Sequence, residues 1–268
     1  MAGFAIAAAG CAIGAPGASA DITATTWTPG VGGDPNVYTL SASVSDPSAL
    51  VYFYDYQLDG SNYSSYVLVG GGPQTVSGGT AQVTYYPATT GQHFINVVER
   101  SATGEYITQG GGPAIQVAAL PKTAAPAVCE PTGGSLANGE FTIQGQVHHP
   151  GTAYTVTFTL PTDQMSSFSG STAYIEEGAF PGTIVGTTTF TNGVATIQYT
   201  PKNLGEVDLT AHAGSPDGIM VGHKQFRLEF SSAPTGPSGC KTPGSSGSGT
   251  GSADSIPLIG GLLKALGL

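Results

Sequence analysis

Residues Gly79-Thr80-Ala81-Gln82-Val83-Thr84-Tyr85-Tyr86-Pro87 recur as Gly193-Val194-Ala195-Thr196-Ile197-Gln198-Tyr199-Thr200-Pro201, and a glycine follows each block, Gly91 and Gly205. The offset is 114 residues. A chain that repeats itself at such a spacing folds as copies of one unit, and this constrains the fold before any composition is counted. Upstream, Tyr38-Thr39-Leu40-Ser41-Ala42-Ser43-Val44 matches Phe141-Thr142-Ile143-Gln144-Gly145-Gln146-Val147 at an offset of 103, with Pro47 falling on Pro150. The two offsets place 11 extra residues in the second copy between these blocks. Two units follow, at 21–118 and 119–230, each of a usual domain size.

Each unit reads as β. Tyr38, Leu40, Ala42 and Val44 alternate with polar residues, as do Phe141, Ile143 and Val147; His93, Ile95 and Val97; and Val207, Leu209 and Ala211. Period-two alternation marks half-buried strands of antiparallel sheets. Turn residues punctuate them at Asp46-Pro47, Ser77-Gly78-Gly79, Asn192-Gly193 and Pro216-Asp217-Gly218. Short strands between such turns predict an all-β protein of two tandem β-sandwiches. Composition agrees: 41 Gly and 19 Pro in 268 residues oppose a helical bundle, and 12 Tyr with 10 Phe oppose a chain without a core. Only 7 Lys and Arg stand against 17 Asp and Glu, so there is no basic face for nucleic acid.

The runs Val51-Tyr52-Phe53-Tyr54-Asp55, Gly79 to Tyr85 and Gly91-Gln92-His93-Phe94-Ile95-Asn96-Val97 make the comparison more specific. Over residues 22–230 the chain resembles the bacterial immunoglobulin-like repeat of secreted actinobacterial proteins. That family shows an apolar-x-Phe strand, a Gly-x-Ala-x-apolar-x-Tyr strand and a Gly-x-His-x-Ile strand. The second unit departs from it with Val207 in place of the histidine. The resemblance implies an extracellular sandwich used for adhesion or spacing, and it brings no catalytic residue and no cofactor.

The two ends read differently. Residues 1–20 are uncharged and apolar and end on Ala18-Ser19-Ala20, a small-residue cleavage pattern that predicts a secretory signal peptide. The competing reading has Ala8-Ala9-Gly10-Cys11 as a lipobox with Cys11 acylated. Residues 231–255 are rich in Gly, Ser, Pro and Thr, the composition of a flexible tether. In the last segment, 256–268, Leu258, Ile259, Leu262, Leu263 and Leu266 form one helical stripe. Eleven helical residues reach only about 16 Å, too short to span a bilayer. This stripe is expected either to dock on a partner or membrane interface or to fold back onto its own domain.

Among candidate chemical groups, tyrosine stands out. With Val51 and Phe53 inward, Tyr52, Tyr54 and Tyr56 project from the other face of one strand, and Tyr63 and Tyr66 follow among serines and Asn62. Tyrosine offers a large area and a hydroxyl at low entropy cost, as binding surfaces require. Offset matching places Thr155, Thr157 and Thr159 opposite these residues in the second unit. The five tyrosines are expected to contact a cell-envelope protein or glycan, or else to pack against the second unit or the tail. Cys129 and Cys240 bracket the second unit and are expected to pair with each other in an oxidising compartment, with intermolecular pairing through the tether as the alternative. His93 is expected inside its sandwich as a packing residue, and His212 and His223 close together across a hairpin. His148, His149 and Asp217 share one end of the second sandwich, but no metal-ligand spacing supports a metal site. Asp55, Asp59, Gly60 and Asn62 lack the remaining ligands of a calcium loop. No nucleophile elbow or paired catalytic histidine is recognisable, and the expectation is a non-enzymatic binding or adhesion module. A structural spacer presenting the C-terminal segment is the alternative.

Overall fold

The computed structural model describes residues 22–127, 129–161, 170–179, 181–214 and 223–234. Apart from one 3-10 turn at Val31–Gly33, the regular structure of these residues is entirely β. The signal-peptide reading, Asp217, Cys240 and the stripe Leu258, Ile259, Leu262, Leu263 and Leu266 lie outside the described residues.

In the first unit β1 (Ile22–Pro29), β2 (Tyr38–Val44) and β5 (Thr80–Tyr85) form one antiparallel sheet. The other sheet runs β4 (Asn62–Thr75), β3 (Leu50–Asp59), β6 (Gly91–Arg100), β7 (Tyr106–Val117). Leu40, Ala42 and Val44 from the first sheet meet Val51, Phe53, Ile95, Val97 and Ile115 from the second, all buried. This is the interior produced when the apolar parity of each sheet turns inward. The chain changes sheets between β2 and β3, between β4 and β5, and between β5 and β6, an immunoglobulin-like order.

The second unit repeats that order. Its sheets are β8 (Ser135–Asn138), β9 (Phe141–Gln144), β10 (Tyr154–Thr159), β13 (Val194–Tyr199), and β12 (Thr183–Thr189), β11 (Thr172–Glu177), β14 (Gly205–Ala213), β15 (His223–Phe230). Phe141, Ile143, Val156 and Phe158 face Ile175, Leu209, Phe226 and Leu228 across the core. Strand β8 is an addition at the sheet edge with no counterpart in the first unit.

Strand registers correct part of the repeat alignment. Tyr38 of β2 pairs with Tyr85, and Tyr154 of β10 pairs with Tyr199. The counterpart of β2 is therefore β10, and Phe141–Gln144 is the counterpart of β1. Both strands alternate apolar and polar residues with the same period, so pattern matching alone selected the wrong one. In the other sheet Tyr52 pairs with Val98 and Tyr174 with His212. Tyr52, Tyr54 and Tyr56 consequently correspond to Tyr174, Glu176 and Gly178, not to Thr155, Thr157 and Thr159. The block at offset 114 is correctly aligned. Asn192-Gly193 and Gly78-Gly79 close equivalent tight hairpins, and all four residues have positive φ, from 52° to 77°. Such turns demand Asn or Gly for steric reasons.

Candidate functional site

The tyrosines are positioned by β3 and β4. Val51 and Phe53 point into the sandwich, and Tyr52 and Tyr54 stand on the opposite face. Tyr54 stacks on Tyr66 with ring centroids 4.8 Å apart, and Tyr63 meets Tyr66 edge-on at 5.0 Å. Tyr56 meets Tyr63 at 5.5 Å and stacks on Phe94 at 5.4 Å. The five side chains are therefore one cluster.

The cluster is closed over by the second unit. Tyr52, Tyr54 and Tyr66 are only 1%, 3% and 0% exposed, and Val147 and Leu204 pack against them. Tyr56 and Tyr63, half-buried, form the rim. The inner three thus make a contact surface whose partner is the chain's own second sandwich. Each buried ring removes about 150–250 Å² from water, which makes aromatic rings the main apolar contribution to the junction.

Polar groups complete the junction, and Arg100 is central. Its guanidinium donates to Glu229 Oε2 at 2.8 Å, to the Arg227 carbonyl at 2.6 Å and to the Gly104 carbonyl at 3.0 Å. It also lies 5.6 Å from the Phe226 ring centroid and 5.8 Å from that of Tyr106. Nearby, Asn96 donates to Glu206 Oε1 at 2.8 Å and to Tyr66 Oη at 3.1 Å. Burial raises the pKa of the Glu229 carboxyl, although Arg100 pulls it the other way. Sequence reasoning overlooked Arg100, Glu229, Asn96 and Glu206. The available signal was the uninterrupted apolar and aromatic run from Val51 to Tyr54, since a strand apolar on both faces is covered on both faces.

The histidines are divided among separate tasks. His148 is 1% exposed and its Nε2 lies 3.0 Å from the Gln144 carbonyl, with its ring against Tyr154 and Phe230. Burial lowers its pKa to about 4. His149 reaches Glu130 Oε2 and the Ser231 carbonyl, both at 2.7 Å. Burial opposes its charge, but these hydrogen bonds outweigh it and raise its pKa. His212 and His223 are direct register partners, and His212 stacks on Tyr174 and pairs with Glu176 at 2.9 Å. Among the described residues no three metal-binding side chains converge. Cys129 is buried at the entry to the second unit.

His148 makes stability depend on pH. Between about pH 6.5 and pH 4 the unfolded chain binds a proton at this site and the folded chain does not, so stability falls as pH falls through that window. The loss attributable to His148 is about 3 kcal/mol by pH 4. His149, shifted upward, contributes an opposite slope above pH 6.5. Urea titrations from pH 7 to pH 4 are expected to show a shallower acid decline for His148→Gln than for the native chain.

At the far end of the first sandwich His93 is buried at 1% exposure, on the predicted inward face. Its Nδ1 lies 3.0 Å from both Asp55 carboxylate oxygens, and Tyr85 Oη donates to Asp55 Oδ2 at 2.7 Å. Burial first, and then Asp55, raises the Tyr85 pKa and keeps it a hydroxyl donor. The second unit repeats the tyrosine–acid link between its sheets, Tyr199 Oη to Glu177 Oε2 at 2.9 Å. His93 is thus a hydrogen-bonded member of a polar cluster, beyond the packing role expected of it.

No family model matches the chain, and no curated protein matches it. Similar solved structures include a biofilm associated protein BSP domain, 19% identical over 73% of this chain and 28% of that one, with a TM-score of 0.23. The chicken CNTN1 FN1-FN3 domains are 8% identical over 78% and 66%, with a TM-score of 0.24. The Clostridium thermocellum CbhA fibronectin(III)-like modules are 15% identical over 74% and 86%, with a TM-score of 0.24. The chain spans 28% of the length of the first and 66% of the second. At such TM-scores the sandwich assignment rests on the chain's own sheets and cores.

Proposed function

We propose that the chain is a non-enzymatic, extracellular adhesion-type module of a cell envelope, in which two immunoglobulin-like sandwiches act as one stiff body. The observation that carries this reading is the junction. A buried ion pair set among stacked tyrosines couples the units, as a module that transmits load rather than flexes requires. The rim residues Tyr56 and Tyr63 supply the accessible aromatic contact, toward an envelope protein or glycan. A disulfide between Cys129 and Cys240 would tie the tether to the second unit, and the C-terminal stripe is a docking segment. No helix among the described residues is long and apolar enough to cross a membrane.

The burial of Tyr52, Tyr54 and Tyr66 favours a second reading, a spacer that presents the C-terminal segment and binds nothing through its own faces. Co-sedimentation with insoluble cell-envelope material separates the two. The adhesion reading expects a chain ending at Lys241, which keeps Cys240 and loses only the docking segment, to retain part of the full chain's sedimentation through the rim tyrosines. It also expects Tyr56→Ser with Tyr63→Ser to weaken binding. Loss of binding on truncation alone, with the double variant unaffected, overturns it in favour of the spacer.

A further inference from the structure

Two strips occupy the same place in the two sandwiches and differ in chemistry. The offset of 114 sets Gln92 and Phe94 of β6 at the positions of Glu206 and Asp208 on β14. The register pairs Gly91–Val117 and Gly205–Phe230 set Ala114 and Gln116 of β7 at those of Arg227 and Glu229 on β15. In the second unit this strip is the half of the junction that meets the first unit. Glu229 accepts from Arg100, Glu206 accepts from Asn96, and the Arg227 guanidinium lies 5.4 Å from the Tyr106 ring centroid. A Cβ at Gly205 would strike the Tyr63 ring, whereas nothing lies within 4 Å of one at the equivalent Gly91. The first unit thus repeats a docking strip with none of the four charges, and Gln92, Ala114 and Gln116 are exposed.

An aromatic corner edged by amides replaces the charges. Phe94 stacks on Tyr56 with centroids 5.4 Å and planes 23° apart, and Tyr63 stands across Tyr56 at 82°. Gln92 and Gln116 are register partners one row farther from the junction, on the face that carries Phe94. The rings are held from behind. Next to Tyr56, Gln57 Nε2 donates to Thr89 Oγ1 at 3.1 Å, and next to Phe94, His93 Nε2 lies 3.0 Å from the Thr89 carbonyl. On the junction side Tyr56 lies 6.1 Å from the buried Tyr66. A surface fixed in advance loses little entropy on binding.

We infer, on the strength of the adhesion reading, that this strip binds a neutral polysaccharide. A pyranose ring presents C–H groups on its faces and hydroxyls round its edge. Its faces pack on Tyr56 and Phe94, where burial of aromatic area is the main favourable contribution. Each edge hydroxyl donates and accepts, as a glutamine amide does, so Gln92 and Gln116 satisfy neighbouring hydroxyls with no charge taken out of water. An acidic glycan is disfavoured, because the chain carries a net charge of −10 and the four positions hold no cation. A protein partner is disfavoured by the molecule's own example. The copy of the strip that meets protein does so through Glu206, Arg227 and Glu229.

Co-sedimentation of the full chain with delipidated envelope material tests this assignment. The material is used untreated, digested with proteinase K, or oxidised with periodate, which cleaves vicinal diols. The expected result is binding that survives digestion and disappears after oxidation. Phe94→Asp with Ala114→Arg transplants into the first unit the Asp208–Arg227 ion pair that the second unit's sheet already accommodates. It is expected to bind digested material about tenfold more weakly or worse. Gln92→Ala with Gln116→Ala changes only exposed side chains and is expected to cost about fivefold. Urea midpoints verify that both variants fold. Loss of binding on digestion, or its survival after oxidation, overturns the glycan assignment and leaves the adhesion reading standing. Native-like binding by either folded variant overturns the strip as the site. A native chain that fails to sediment with untreated material overturns the adhesion reading itself.

Discussion

Arg100→Ala is expected to lower the unfolding free energy by about 3–5 kcal/mol and to split one urea transition into two. Arg100 is 0% exposed, and two of its three hydrogen bonds bind the end of β6 to β15 of the second unit, the third going to Gly104 within the first. Removing it leaves the Glu229 carboxylate buried with its counter-charge gone, and this stranded charge is the larger part of the loss. Such an ion pair is costly to break from one side, even though its net contribution over an apolar pair is small. Arg100→Met combined with Glu229→Gln, which removes both charges, is therefore expected to recover part of the deficit. Acid should also relieve it. Burial already raises the Glu229 pKa above the ordinary 4.5, so the deficit of Arg100→Ala shrinks as pH falls through that raised value. A single transition at the native urea midpoint would show that the junction does not couple the units.

Gly104→Ala is expected to open the same junction by a steric route. Gly104 has φ +94°, and a Cβ there would lie 2.9 Å from both Leu136 Cα and Leu136 Cδ2. Leu136 belongs to the core of the second sandwich, so neither it nor its backbone can yield cheaply. The left-handed backbone adds about 1–2 kcal/mol and the forced separation about 1–3 kcal/mol. Gly60→Ala is the control, because Gly60 also has positive φ, +65°, and nothing lies within 4 Å of a Cβ there. Urea midpoints of the two variants measure the difference, and equal losses would mean that the units part without resistance.

Much of the fold was legible because strand alternation and turn chemistry are local. Leu40, Ala42 and Val44 face inward as their spacing requires, and Asn192-Gly193 closes the hairpin that its residue types demand. The offset of 114 held because the β5 and β13 blocks share Ala, Tyr, Pro and the following glycine at fixed positions. The offset of 103 failed because it rested on alternation, and β9 and β10 alternate alike. The tyrosine stripe was legible as a surface, and its parity was correct. What covers it depends on the second unit, which supplies Leu204 from a distant part of the chain. The His93 cluster was missed for a similar reason. Asp55, Gln57, Tyr85, Thr89 and His93 come from three strands and a loop, and no fixed sequence spacing relates them.

The repeat, the period-two strands and the turns determined by themselves that this chain folds as two antiparallel sandwiches, with Val51 and Phe53 inside and Tyr52 and Tyr54 outside. Only the tertiary structure decided that this outer face meets the second sandwich and that Thr89 faces Gln57 across His93. The physical reason is range. Backbone sterics and side-chain parity act over a few residues and leave a readable period, whereas the Arg100–Glu229 pair joins positions 129 residues apart. That contact exists only once two folded surfaces have excluded water from between them.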